Sequence, residues 1–117
     1  MAFHELPPMK KSKLTADMLE LVAERFKVLA EPVRLELLNH LRGGEMTVSE
    51  LVEESGLAQA NVSKHLRLLH ASRFVTRRKD GLFVYYALAD RDVFRLCDIM
   101  CDRLDAELRA KRRILAS

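Results

Sequence analysis

Between Gly56 and Lys79 the chain carries six basic residues, Lys64, Arg67, Arg73, Arg77, Arg78 and Lys79, and neither Asp nor Glu. The whole chain is close to balanced, with 20 Lys and Arg against 17 Asp and Glu in 117 residues. The bias is therefore local and belongs to one part of the fold. The same window has helical periodicity. Val62, Leu66 and Leu69 recur at spacings of four and three, which puts them on one buried stripe. Gln59, Asn61, Ser63, Lys64 and Arg67 fall elsewhere on the helix surface. An apolar back with a Gln, Asn, Ser and Lys front can read base edges and touch phosphates. A merely solvated basic face would carry the same charges, so the flanking sequence has to decide.

The length predicts one domain, large enough to bury a core without disulfides or metals. Nearly half of the residues are apolar, which excludes a disordered chain. A net charge of +3 with so local a basic run fits one basic patch. No apolar run approaches the roughly 20 residues that span a bilayer. The N-terminal MAFHELPPMKKSK lacks the apolar centre of a signal peptide, so the expectation is a cytoplasmic protein with no membrane contact. Two cysteines four residues apart make no disulfide framework.

Residues 1–14 read as a loose tail, with Pro7-Pro8 blocking regular structure and Lys10, Lys11 and Lys13 favouring solvent. The folded domain is expected over 15–117. Thr15 caps a first helix over 16–30, whose Leu19, Val22, Phe26 and Leu29 form a stripe widened by Met18, Leu21 and Val28. Such breadth suits contact with both its own core and a second subunit. Glu31-Pro32 opens a second helix over 32–42, with Leu35, Leu38 and Leu41 on its buried side and Gly43-Gly44 as its stop. Thr47-Val48-Ser49-Glu50 is a capping box for a short helix over 47–55, with Val48, Leu51 and Val52 inward. Gly56 supplies the turn after it, and the basic helix follows over 58–71. Two short helices across a Gly turn, the second polar and basic outside, make a helix-turn-helix.

The period then changes. Residues 74–79 and 82–88 are rich in β-branched and aromatic residues and flank Asp80-Gly81, a strong hairpin signal. A hairpin directly after a recognition helix is a wing, with Arg77, Arg78 and Lys79 near its tip and Tyr86, not Tyr85, on its buried face. Asp90 or Asp92 caps a last helix over 91–115. Phe94, Cys97, Cys101, Leu104 and Leu108 follow one another there at spacings of three and four, nearly a heptad seam, flanked by Leu96 and Met100. That seam predicts pairing with a second copy. The fold class is thus mainly α with a small β-hairpin, a winged helix-turn-helix that dimerises through its first and last helices.

Phe26 to Leu88 resembles the ArsR, or SmtB-type, family of winged-helix repressors. The resemblance rests on LAEPVRLELL in the second helix, the SGLAQANVSKHLRLL box and a wing that contains DG and ends in YYAL. It implies a homodimer that sits on operator DNA and leaves when a metal, metalloid or oxidant binds. Carried over by position, it places Gln59, Ala60, Ser63 and Lys64 at the major groove. Ala60 stands where a hydroxyl residue is common, and Asn61 is of a type that can pair with adenine. Arg67, Arg77, Arg78 and Lys79 are the phosphate candidates.

The family's sensing sites can be tried on this chain one at a time. Its Cys-x-Cys site in the third helix falls on EMTVSEL, where Thr47 and Ser49 are poor ligands for soft metals. Its last-helix zinc site falls on Asp90, Asp92, Arg103 and Ala106, of which the last two cannot ligate zinc. Cys97 and Cys101 remain. At i and i+4 they share one helix face, about 6 Å apart along the axis. Two such thiolates can hold a thiophilic ion such as trivalent arsenic or antimony, with a third ligand from the tail, the partner or solvent. They can equally be small core residues on an apolar seam, and oxidation or persulfidation is a further use. No constitutive cofactor is expected. Set against this repressor are a winged-helix module that binds protein, which the acid-free basic window disfavours, and an enzyme. For an enzyme the sequence offers no phosphate-cradling Gly loop, nucleophile elbow or paired catalytic carboxylates.

Overall fold

The structure is a computed structural model and describes residues 13–116. Most of the expected tail, residues 1–12, lies outside the described residues. Five helices and three strands follow in order: α1 (Ala16–Leu29), α2 (Pro32–His40), a 3-10 turn (Leu41–Gly43), β1 (Met46–Thr47), α3 (Val48–Ser55), α4 (Gln59–Ala71), β2 (Val75–Asp80), β3 (Phe83–Leu88) and α5 (Asp92–Ala116). The strands form one antiparallel sheet in the order β1-β3-β2.

The helix boundaries follow local chemistry. The Thr15 hydroxyl accepts from the Met18 N–H and starts α1. At α3 the capping box is complete. The Glu50 N–H donates to the Thr47 hydroxyl at 3.1 Å, and the Thr47 N–H donates to the Glu50 carboxylate at 2.8 Å. Gly56 ends α3 in the left-handed region, at φ 73°, where a side chain would be strained. Asp90 accepts from the Asp92 N–H at 2.7 Å and starts α5.

The core is small and one-sided. Leu37, Leu38, Leu51, Val62, Leu66 and Leu69 are fully buried, and Leu41, Val75, Tyr86, Val93 and Phe94 complete the cluster. Tyr86 is the buried tyrosine of the wing, as its parity predicts. By contrast α1 buries none of its residues completely. On α5, Val93 and Phe94 alone are buried. Leu104 and Leu108 of the seam and the flanking Leu96 and Met100 are about half exposed, as are Leu19 and Phe26 of α1. The radius of gyration, 18.1 Å, exceeds the roughly 13 Å of a compact chain of this length. The long α5 extends beyond the core that its first turn joins.

Three expectations need correction. Leu35 does not line the buried side of α2; it is partly exposed, and Leu37 takes the inward place. Both α3 and α4 pack on α2, so the covered face is wider than one stripe and turned away from Leu35. The second helix also stops at His40 and tightens into the 3-10 turn instead of running to 42. In the wing, Asp80 pairs with Phe83, so the two-residue turn is Gly81-Leu82 and not Asp80-Gly81. Gly81 sits at φ 61°, the positive φ that a tight hairpin needs at its first central residue. β1 was not expected at all. Met46 and Thr47 pair with Tyr86 and Tyr85, which ties the start of α3 to the wing.

Because Leu66 is fully enclosed, Leu66→Ala is expected to cost about 2–5 kcal/mol of folding stability. Urea unfolding followed by circular dichroism measures this directly. A loss below about 1 kcal/mol would mean that the core does not close around α4.

Candidate nucleic-acid interface

The helix-turn-helix is α3 and α4, hinged at Gly56. Val62, Leu66 and Leu69 hold α4 against α2 and α3, and His65 is buried beside them. The opposite face is thereby fixed outward. Gln59, Ala60, Lys64 and Arg67 are exposed, while Asn61 and Ser63 are half-buried. Glu31, at the start of α2, is the carboxylate whose charge reaches His65 from behind. No carboxylate lies on α4 itself.

The wing adds the second wall. Ser63, Arg67 and His70 of α4 face Arg77, Val84 and Tyr86 of the hairpin, with Val48 of α3, across an open groove of about 500 Å³. Two arginines, a hydroxyl and an imidazole converging on one groove can hold a phosphate strand by charge-assisted hydrogen bonds. His70 was not foreseen in this role. Its signal is helical spacing, since it stands three residues after Arg67 and seven after Ser63. Leu82 is almost wholly exposed at the tip of the hairpin.

The basic residues are not equivalent. Lys64, Arg67, Arg77 and Lys79 make no ion pair among the described residues. Arg78 is engaged. Its Nε donates to one oxygen of Glu45 at 2.9 Å and its Nη2 to the other at 2.5 Å. Asp80 lies 3.8 Å away, and the guanidinium covers the Tyr85 ring at 4.2 Å. The hydrogen bonds from Arg78 hold the Glu45 carboxyl below the usual carboxylate range, and the same bonds raise Arg78. Of the six basic residues in the window, Arg78 is thus the one already neutralised by the protein. Arg73, in the left-handed region at φ 65°, lies in the turn between α4 and β2; it does not line this groove but an adjoining hollow that shares His70 and Arg77 with it.

The expected sensing residues lie elsewhere. Cys97 is half-buried and Cys101 exposed, both free thiols on α5. Burial, and then the charges of Cys101 and Asp98, push the Cys97 thiol up, against a smaller opposing pull from Arg42. Arg42 covers the Phe94 ring at 4.1 Å and lies 3.9 Å from Asp98. Among the described residues, no three His, Cys, Asp or Glu side chains gather into a metal site. Thr47 has its hydroxyl in the α3 cap, and Asp92 pairs with Arg95 at 3.4 Å.

Comparison with known proteins agrees with this architecture. Residues 31–77 match the family model for bacterial regulatory proteins of the arsR family. The chain is 36% identical over 91 residues to a transcriptional repressor SmtB homologue from Synechocystis, an alignment covering 78% of this chain and 69% of that protein. Among solved structures it is similar to an antimony-specific transcriptional repressor, AntR, with a TM-score of 0.72 and 30% identity over 88% of this chain and 96% of that one. It is also similar to the homodimeric winged helix-turn-helix domain of Mb0332 from Mycobacterium bovis, with a TM-score of 0.70 and 31% identity over 82% of this chain and 89% of that one. The chain belongs to the ArsR family and is a winged-helix transcriptional regulator, not an enzyme.

Removing the Glu45 charge is expected to release Arg78. Glu45→Gln should tighten duplex binding and steepen the fall of log K with log salt by about one unit. Arg77→Ala should flatten that dependence by a similar amount. Anisotropy titrations of one duplex at several salt concentrations give both slopes. Equal slopes in the three proteins would remove the wing strand from the interface.

Proposed function

We propose that the chain is a homodimeric repressor of operator DNA that is released when Cys97 and Cys101 ligate a thiophilic effector, most simply trivalent arsenic or antimony. The observation that carries the reading is the placement of the two thiols. They stand one helical turn apart on α5, where its apolar seam leaves the core and becomes exposed. A partner's α1 and α5 would cover that seam and bring a second thiol pair close to the first. The homodimeric domain of Mb0332 and the antimony-specific AntR support this reading by analogy.

The ligand exchange balances without any oxidant. Arsenite, As(OH)₃, takes two thiols, forms two As–S bonds, loses two hydroxides with the two thiol protons as two waters, and keeps one hydroxide. That third position is free for a ligand from the partner, from residues 1–12 or from solvent. Burial holds the Cys97 thiol up, while Cys101 is the more exposed of the two. Cys101, the more accessible thiol, makes the first bond and Cys97 closes the pair.

In the DNA-bound form, Gln59, Ala60, Asn61, Ser63 and Lys64 of each protomer face base edges in the major groove. Arg67, Arg77 and Lys79 hold phosphates. Arg78 joins them only if it leaves Glu45. Release is a population shift. Ligation favours a dimer whose two α4 helices no longer match the spacing of the half-sites. A tenfold loss of occupancy needs about 1.4 kcal/mol of differential affinity. Among the described residues no helix is long and apolar enough to cross a membrane, and we place the protein in the cytoplasm with its operator. The raised Cys97 thiol favours one competing reading, in which both cysteines only pack and the repressor responds to oxidants or to nothing.

The test is anisotropy of a duplex from the region upstream of the chain's own gene, in reductant, with arsenite, antimonite, zinc and cadmium titrated in turn. Arsenite or antimonite is expected to release the wild type and to leave the Cys97→Ser/Cys101→Ser double variant bound. Release of both proteins, or of neither, sinks the thiol sensor. Failure of the wild type to bind any such duplex in a salt-sensitive way sinks the repressor reading itself.

A further inference from the structure

His65 is buried on the hidden side of α4, and neither base reading nor effector ligation uses it. It is 7% exposed, between Val62 and Leu69 on the helix's covered stripe. Arg34 of α2 reaches it, with Nη1 3.0 Å from the imidazole Nδ1. A guanidinium has no acceptor, so Nδ1 is the unprotonated nitrogen and the neutral ring carries its proton on Nε2. The same guanidinium donates from Nε to the carbonyl of Val28, in the last turn of α1. One side chain therefore joins the end of α1, the body of α2 and the back of α4.

We infer that Arg34 and His65 are positioning residues that lock α4 in its DNA-facing pose to the end of α1, and that a proton on His65 breaks the lock and weakens DNA binding. The inference rests on the proposed DNA-binding role of α4. Protonation consumes the lone pair that accepts from Arg34 and sets two cations 3.0 Å apart. Either the imidazole leaves the core or Arg34 withdraws and frees the Val28 carbonyl. Both outcomes disturb the register of Gln59, Ser63 and Lys64, which stand within six residues of His65 on the same rigid helix.

The charges around the ring agree in sign. Burial, first, and then Arg34 and Lys64 lower the His65 pKa, and Glu31 alone opposes them. The Glu31 carboxylate already accepts from the Val33 N–H at 3.0 Å as the cap of α2. A folded pKa below the unfolded one makes stability full above the unfolded value, about 6.5. It is lost progressively as the pH falls from there through the folded value, because the unfolded chain binds the extra proton first. His70 stands exposed in the groove with Arg67 and Arg77, outside the lock, and serves as the control histidine.

The experiment compares wild type, His65→Asn and His70→Asn in duplex anisotropy from about pH 8 to about pH 5.5 at constant ionic strength. Circular dichroism at each pH confirms the folded range. The Asn side-chain oxygen can accept from Arg34 where Nδ1 does, but it does not titrate. Wild-type affinity is expected to fall about tenfold over this range. His65→Asn should change less than about twofold, and His70→Asn should fall at least as far as wild type. A flat wild-type profile, or an equal fall in His65→Asn, overturns the inference. Nuclear magnetic resonance of the free protein separates this from the DNA reading. The Val28 and Arg34 signals should titrate together with the His65 ring in the wild type and stay still in His65→Asn. Joint titration without duplex binding at any pH keeps the lock and removes the operator. Independent titration removes the lock whatever the DNA result.

Discussion

Everything in this molecule depends on one helix being held from behind. Val62, Leu66 and Leu69 of α4 are sealed against the leucines of α2 and α3, with no exposure at any of the three. The alternation of a helix does the remainder. Once that stripe is inside, Gln59, Ala60, Lys64 and Arg67 have nowhere to go but outward. The wing is attached to the same cluster through Val75 and Tyr86, so the groove between α4 and the hairpin has two walls set by one core. A surface that must match a duplex gains from this, because rigid elements hold side chains more narrowly than loops do.

The core is also incomplete, in a way that carries information. It covers the first turn of α5 and leaves the apolar seam beyond Phe94, together with much of α1, open. A second copy is the natural cover for apolar faces on these two helices. The thiols stand at the point where the buried part of the seam passes into the open part. On the proposed reading, an effector bound there would act on the packing between protomers and not on the reading surface. Coupling to that surface would run through packed helices, and among the described residues Arg34 hydrogen-bonds both to the end of α1 and to the back of α4.

Charge acts here by availability more than by number. The six basic residues of the window look alike in the sequence, yet Glu45 holds Arg78 in a bidentate pair and Tyr85 lies under it. Lys64, Arg67 and Arg77 make no ion pair among the described residues. Arg34, outside the window, faces inward and serves the core. Exposed ion pairs add little to stability, so on the proposed reading the Glu45–Arg78 pair would matter mainly for which cations a duplex can use.

Much of this was legible from the sequence, for a physical reason. Caps, turns and stripe periods are local, and they depend on residues three or four apart. Thr15, the Thr47–Glu50 box, Gly56 and the Val62–Leu66–Leu69 stripe all stand where those rules put them. The helix-turn-helix, the wing and the unburied seam of α5 follow from the same rules, and the motif resemblance adds the family. What the tertiary structure alone decided is non-local. Leu37 displaces Leu35 because α3 and α4 both pack on the inner side of α2. β1 exists because Met46 and Thr47 find Tyr86 and Tyr85 some forty residues later, and no two-residue strand has a period to read. The wing turn shifts by one residue because pairing Asp80 with Phe83 puts Gly81 where the backbone needs a positive φ. Glu45–Arg78 and Arg34–His65 join residues 33 and 31 positions apart. Such contacts depend on how finished elements meet, and that is set by the packing of the whole chain.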